Sequence, residues 1–237
     1  MSTENSWERA CRERARDEAM QDAKSQWDVV SGEFAPFPYR WEHVQQVVIH
    51  AEWLLSQVGA DAEVVIAAAW LHDVFKRESN HAQKGAEFAR EFLPTTDFPE
   101  DKIEAVAQAI AVHAGLTRPA DDWKEKSGEP FRPAPPMEPI EAALLWDADK
   151  LTKVGPLSVL HYIPYALAEA LRQGYSLSTQ DFYEENREWI ANVGSRIVAS
   201  FNTEAAQRRA QRLQAVYETF QDALEDVIAL SDEEPRS

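Results

Sequence analysis

Apolar residues recur along this chain at helical spacing nearly throughout, and alternating β-branched stretches are scarce. From about Arg40 to Gln57, Val44, Val47, Val48, Ala51, Leu54 and Leu55 fall on one face of a helix. Gly59 ends that helix, and Asp61 reads as the cap of the next, Ala62 to Phe75. A third helix is predicted over 80–93, and a fourth from Pro99, a favoured first helical position, to about His113. Pro139 opens another through "IEAALLWDADKLTKV", and two or three more fill 156–229.

The polar stretches complete the outline. A polar helix covers 5–29, and "SGEFAPFPYR" behind it is a Gly/Pro loop. Residues 115–138, with "RPADDWKEKSGEPFRPAPPM", are Pro-rich and charged, and a loop of that length often serves as a lid or a dimer contact. The tail "SDEEPRS", 231–237, is expected to be disordered. No internal repeat is visible. The expectation is one all-α domain over 1–237, without a clean internal boundary.

Composition narrows the function classes. Of the 237 residues 44% are hydrophobic and 10% aromatic, which is a globular composition with length enough for a core. Twenty-four Lys and Arg against 41 Asp and Glu leave a net charge of −17, which repels nucleic-acid polymers and anionic membranes. A small phosphorylated substrate stays open, because a metal or a few local bases can reverse the field in one cleft. Cys11 is the only cysteine, so neither a disulfide framework nor a cysteine-based zinc site forms within one chain. The polar N-terminus is no secretory signal, and no apolar run approaches the roughly 20 residues that span a bilayer. A cytoplasmic protein is expected.

The chemistry-bearing residues stand in an ordered series. Five of six histidines, His43, His50, His72, His81 and His113, lie in the first half on or beside predicted helices, and His161 follows later. His72 and Asp73 close the alanine-rich run "AAAWLHDVFK", and Asp147 and Asp149 sit inside the apolar "ALLWDADKL". A buried carboxylate needs a partner. Imidazole and carboxylate are the ligands that divalent metals accept where thiolates are absent. Adjacent residues on a helix differ by about 100°, so His72 and Asp73 converge on one ion only where the helix frays at its end.

This series resembles the HD-domain metal-dependent phosphohydrolases over roughly residues 38–155. Arg40 precedes His43 by three, as in "R-x-x-H", and "AAAWLHDVFK" is similar to "aaLLHDxxK". "HAQKGAEFA" resembles "HxxxGA", "AIAVHAGL" resembles "aIxxH", and "WDADKLTKVG" resembles the "DADrLdxxG" signature of a bacterial subgroup of small HD hydrolases. The later "NTEAAQRRAQRLQAVYETF" is similar to that subgroup's C-terminal helix.

The resemblance implies an HD-type helical bundle with extra N- and C-terminal helices, the latter over 156–229. It makes His43, His72 and Asp73 metal ligands, with the last ligand from the "DAD". Related HD proteins carry that Asp straight after an Ala, which favours Asp149, while Asp147 shares an apolar stripe with Leu144 and Leu151 and stays the alternative. One divalent ion is expected, with Mn, Mg, Co, Ni, Fe and Zn not distinguished. A second ion at His81 and His113 is the alternative to their lining a phosphate pocket and donating protons.

Arg40 and Lys76 are the phosphate candidates, as a bidentate grip and a point charge respectively. Arg77, Lys150 and Lys153 add positive charge nearby in sequence, while His50 reads as packing and His161 as structural. Some nucleotide-cleaving HD families place a Glu or Asp three to four residues after the HD. Phe75 and Lys76 stand there in this chain, and Glu78 is the nearest acid.

The implied function is metal-activated hydrolysis of a phosphoanhydride or phosphoester, with a nucleotide as the first substrate, and with Asp73, Lys76, His81 and His113 as the catalytic set. Two readings compete with it: a non-catalytic nucleotide- or metal-binding regulatory module, and a di-iron HD oxygenase. The acidic terminal helices are a candidate homodimer contact.

Overall fold

The computed structural model describes residues 5–31, 35–119 and 131–231. Helix α1 (Ser6–Ser31) buries one side chain per four residues: Trp7, Cys11, Ala15, Ala19, Ala23 and Trp27. The small residues between the two tryptophans let α1 lie close against α2 (Tyr39–Leu55) and α3 (Ala62–Leu71). Helix α3 is the centre of the molecule, with Val64 through Leu71 all buried. Each of its larger apolar side chains contributes roughly 1.5–3 kcal/mol on burial.

Helix α4 (His81–Phe92) packs along α5 (Ile103–Ala111), and α5 and α6 (Ile140–Leu151) pack against α3. After α6 come α7 (Pro156–Gln173), α8 (Thr179–Trp189), a π-helical turn at Ile190–Gly194, α9 (Ser195–Ala199) and α10 (Glu204–Ser231). No strand occurs among the described residues, so the fold is all-α. One buried apolar cluster runs from Trp7 through α2–α6 to Phe201 and Ala210. Among the described residues no helix is long and apolar enough to cross a membrane.

Several boundaries differ from the expected ones, each for a local reason. Asp61 caps α3 by accepting from Glu63 N (3.1 Å) and Val64 N (3.4 Å). The helix stops at Leu71 rather than Phe75. The chain then tightens into three-residue turns, with Val74 N on Leu71 O (3.3 Å), Lys76 N on Asp73 O (3.1 Å) and Glu78 N on Phe75 O (2.8 Å). Pro99 does not open an α-helix. It precedes a 3₁₀ turn at Glu100–Lys102, and α5 begins at Ile103. Pro139 likewise caps α6 from outside, its carbonyl accepting from Ala142 N and Ala143 N.

Three helical stretches fill the C-terminal part of the described residues, the middle one interrupted by the π turn. Ser231 is still helical, and the expected disordered tail beyond it lies outside the described residues, as does 120–130 of the Pro-rich loop. The two ends of that loop are fastened to the α9–α10 junction. Arg118 Nε donates to Ser200 O (2.8 Å), and Met137 N donates to Asn202 Oδ1 (2.8 Å).

Two glycines are required by close approach. A Cβ on Gly85 would stand 3.1 Å from the Ile110 side chain and 3.5 Å from His72 O, so glycine lets α4 close over the end of α3. Gly155 has φ +82°, and a Cβ there would meet Leu213 at 2.8 Å. Only glycine makes this turn from α6 into α7 at that distance from α10.

Candidate metal centre

His43 comes from α2, His72 and Asp73 from the turn after α3, His81 from the first position of α4, His113 from just beyond α5, and Asp149 from α6. Five helix ends or faces thus deliver side chains to one buried point. His72 and Asp73 both reach it because the helix has already ended. His72 is the C-cap, and its ring Nδ1 donates back to Ala69 O at 2.8 Å.

The hydrogen bonds fix the ring orientations. A carbonyl can only accept, so His72 Nδ1 carries the proton, and the same holds for His113 Nδ1 on Ile110 O (2.6 Å). Thr152 Oγ1 gives its proton to Asp149 O (2.6 Å) and lies 3.2 Å from His43 Nδ1, so it accepts from that ring. In the neutral rings all three Nε2 atoms are therefore lone pairs, and all three face inward. Burial pushes the His72 pKa down to about 3 and also lowers that of His43, so both are neutral at pH 7.

The lone pairs crowd one another and the carboxylates. His43 Nε2 is 3.4 Å from His72 Nε2, 3.5 Å from Asp73 Oδ2 and 3.3 Å from Asp149 Oδ1. His72 Nε2 is 3.6 Å from Asp73 Oδ2, and His113 Nε2 is 3.5 Å from Asp73 Oδ1. Buried Asp73 Oδ1 and His113 Nε2 make no hydrogen bond at all. Acceptors gathered this way repel unless a cation joins them. Donors held about 2.1 Å from one ion lie about 3–4 Å from each other, which is the spacing seen. His43, His72 and Asp73, then His72, His113 and Asp149, and then Asp73, His81 and His113 each form a group that could hold a metal ion. The donor set fits a divalent metal.

Cations are already threaded through this cluster. Arg40 Nη1 meets Asp73 Oδ2 at 2.6 Å, and Asp22 Oδ2 of α1 stands behind Arg40 Nε at 3.8 Å. Lys76 Nζ lies 3.2 Å from Asp73 Oδ1 and 3.2 Å from His81 Nε2. Buried Lys150 pairs with Asp149 Oδ2 and donates to His113 O (3.2 Å). Burial pushes both carboxyls up, but His72, Arg40 and Lys76 around Asp73, and Lys150 and His43 around Asp149, hold them well below the usual range.

The two aspartates of the "DAD" point apart. Asp149 faces the histidines. Asp147 is fully buried and turned to the start of α10. Its Oδ1 accepts from Asn202 N and Nδ2 (both 2.8 Å), and its Oδ2 accepts from Thr203 N (2.9 Å) and Oγ1 (2.8 Å). All its acceptor capacity is used away from the centre. Among the other expected residues, His50 is buried two turns further along α2 than His43, Arg77 reaches Asp22 (3.7 Å), and Glu78 pairs with Lys84 (3.1 Å) rather than with the centre. Sequence reasoning did not single out Thr152, Asp22 or Tyr39. Tyr39 lies parallel to His43 with ring centroids 6.2 Å apart.

Residues 40–153 match the family described as the HD domain, and the six residues that meet at this point all lie inside that span. The chain carries an HD domain. Around this HD domain α1 and α7–α10 are additions at either end. No curated protein matches the sequence.

Solved structures share the fold over most of the chain. YpgQ of Bacillus subtilis, in complex with ADP, aligns with a TM-score of 0.56 at 18% identity, over 90% of this chain and 97% of that one. The Lin1889 protein of Listeria innocua gives 0.55 at 18% identity, over 92% and 99%. An HD-superfamily hydrolase of Bacillus thuringiensis gives 0.52 at 18% identity, over 94% and 100%. The likeness therefore extends beyond the HD domain to the terminal helices.

Proposed function

We propose that this protein is a divalent-metal-dependent phosphohydrolase acting on a small phosphorylated molecule, with nucleotides first. The observation that carries the reading is the meeting of His43, His72, Asp73 and Asp149, whose inward-facing acceptors have no common donor among the described residues. These four residues would hold one ion, and Asp147 would not. When bound, such an ion polarises a phosphoryl oxygen and lowers the pKa of a water.

The chain's own residues do the rest. Asp73 Oδ1, the acceptor without a hydrogen bond, orients a water proton. Arg40 holds Asp73 in place from Oδ2 and so acts on the ligand rather than as a free phosphate grip. Lys76 is the more exposed cation and presents charge to a phosphate. His81 Nε2 accepts from Lys76, and burial together with Lys76 holds the His81 pKa at about 4, so the proton available to a leaving oxygen resides on Lys76 Nζ. That YpgQ was crystallised with ADP supports starting from nucleotides.

The test is phosphate release from a panel of nucleoside mono-, di- and triphosphates with Mn, Mg, Co and Ni, alongside elemental analysis of His72→Ala and Asp73→Ala. Turnover with one metal and loss of metal from both variants are expected. Metal retained in full by both variants would overturn the ligand assignment. Metal bound by the wild type without any turnover would leave a regulatory metal-binding module, and two redox-active irons per chain would leave an oxygenase.

A further inference from the structure

Four cationic side chains converge on the donor cluster, and three of them are matched by carboxylates. Arg40 and Lys76 lie on Asp73, and Lys150 lies on Asp149. Lys153 is different. Its Nζ donates to the Tyr39 hydroxyl at 3.0 Å and stands 5.6 Å from the centroid of the same ring. Among the described residues no carboxylate comes within ion-pairing distance of it. Burial works against the ammonium, but Tyr39 and, at longer range, Asp149 keep its pKa raised, so it stays charged with no carboxylate in direct contact and can meet an anion there. The place is adjacent to the metal centre, because the Tyr39 ring lies parallel to that of His43.

Next to this cation is an aromatic wall contributed by α7. His161 meets Tyr39 edge-on (5.5 Å, 84°), and Tyr165, one turn further along α7, meets it at a tilt (6.3 Å, 52°). Phe37 backs His161 at 6.4 Å. His161 is buried and Tyr39 is covered on the His43 side, but Tyr165 is 50% exposed. An exposed ring beside an unmatched cation offers two kinds of recognition, charge for a phosphate and a flat apolar face for a base.

We propose that Lys153 with Tyr39 binds a phosphate of a nucleotide and that Tyr165 stacks on its base, so that this subsite selects nucleotides over inorganic polyphosphates and sugar phosphates. The proposal rests on the reading of the centre as a phosphate-handling site and adds what selects the ligand. Lys153 lies four residues after Asp149, and Thr152 between them already orients His43, so the same stretch of chain sets both the centre and the subsite.

The test is calorimetric binding of ADP and of inorganic pyrophosphate to the full chain, with metal content measured for every variant. Lys153→Gln is expected to weaken both ligands by about ten-fold or more, a loss of one charge-assisted contact, with metal content unchanged and with Lys153→Arg recovering most of the affinity. Tyr165→Ala is expected to weaken ADP by about ten-fold and leave pyrophosphate unchanged, while Tyr165→Phe keeps both. Wild-type binding of both ligands by Lys153→Gln, equal weakening of both by Tyr165→Ala, or no binding of either ligand by the wild type would overturn the subsite. Lys153-dependent ADP binding in a protein that hydrolyses nothing would keep the subsite and sink the hydrolase reading. Nucleotide turnover with binding indifferent to Lys153→Gln would do the reverse.

Discussion

The hydroxyl of Thr152 accepts from His43 Nδ1 across 3.2 Å while its own proton goes to Asp149 O at 2.6 Å. One side chain thereby sets the tautomer of His43 and ties it to the helix that carries Asp149. Thr152→Val keeps the shape and removes the acceptor. Metal affinity should fall about 10–100-fold, the usual effect of losing such a supporting contact, and Thr152→Ser should restore it. Competition with a fluorescent chelator measures this, and an unchanged affinity in Thr152→Val would show that His43 needs no such partner.

Asp149 and Asp147 should separate cleanly. Asp149→Asn is expected to lose metal at little cost in helicity. Asp147→Asn should keep the metal but turn an amide N–H₂ toward donors at the start of α10, costing about 2–4 kcal/mol of stability. Elemental analysis paired with urea unfolding decides it, and the opposite pattern would exchange the roles of the two aspartates.

Lys76 touches Asp73 and His81 but cannot be a ligand while protonated. Lys76→Met should therefore retain metal and lower kcat/KM by one to two orders of magnitude, corresponding to about 1–3 kcal/mol for a charge-assisted hydrogen bond. The loss should grow from mono- to di- to triphosphate substrates. A flat kcat/KM ratio between variant and wild type across that series would make Lys76 a bystander.

His50 gives a pH dependence away from the centre. It is buried on α2, and burial first, then Arg209, pushes its pKa down to about 4. The folded state keeps the neutral ring, so its contribution is complete above about pH 6.5 and is lost as the unfolded chain takes up a proton between 6.5 and 4. His50→Leu should flatten the acid limb of stability by about 2–3 kcal/mol at pH 4.5 relative to pH 7. Denaturant unfolding of metal-free wild type and variant at those two pH values checks this. Parallel losses in the two proteins would place the acid sensitivity elsewhere.

Much of this was legible in the chain itself. Helical spacing places α2, α3 and α6, and Asp61 marks the start of α3 because capping is a local hydrogen bond to the next two residues. The ordered histidines and aspartates announced the chemistry, since residue type limits what can bind a metal. The Gly of "HAQKGA" entered only as part of a resembling motif, and the structure shows why glycine stands there, close to Ile110 and the carbonyl of His72.

Tertiary structure decided what spacing could not. Residues 147 and 149 have the same type and nearly the same neighbours in sequence, yet one meets Asn202 and Thr203 and the other His43. Arg40 reads as a phosphate grip from its spacing, and only the structure shows it paired with Asp73 and backed by Asp22, a residue of a helix that local pattern assigned no role. Lys153 read as one of three bases adding local positive charge, and it stands beside Tyr39 with no carboxylate paired to it among the described residues. The physical reason is common to all three. Residue type and helical period are local properties of the chain, whereas the partner that fixes a buried charge is chosen by which helices pack together, and those partners lie 18 to 114 residues away in sequence.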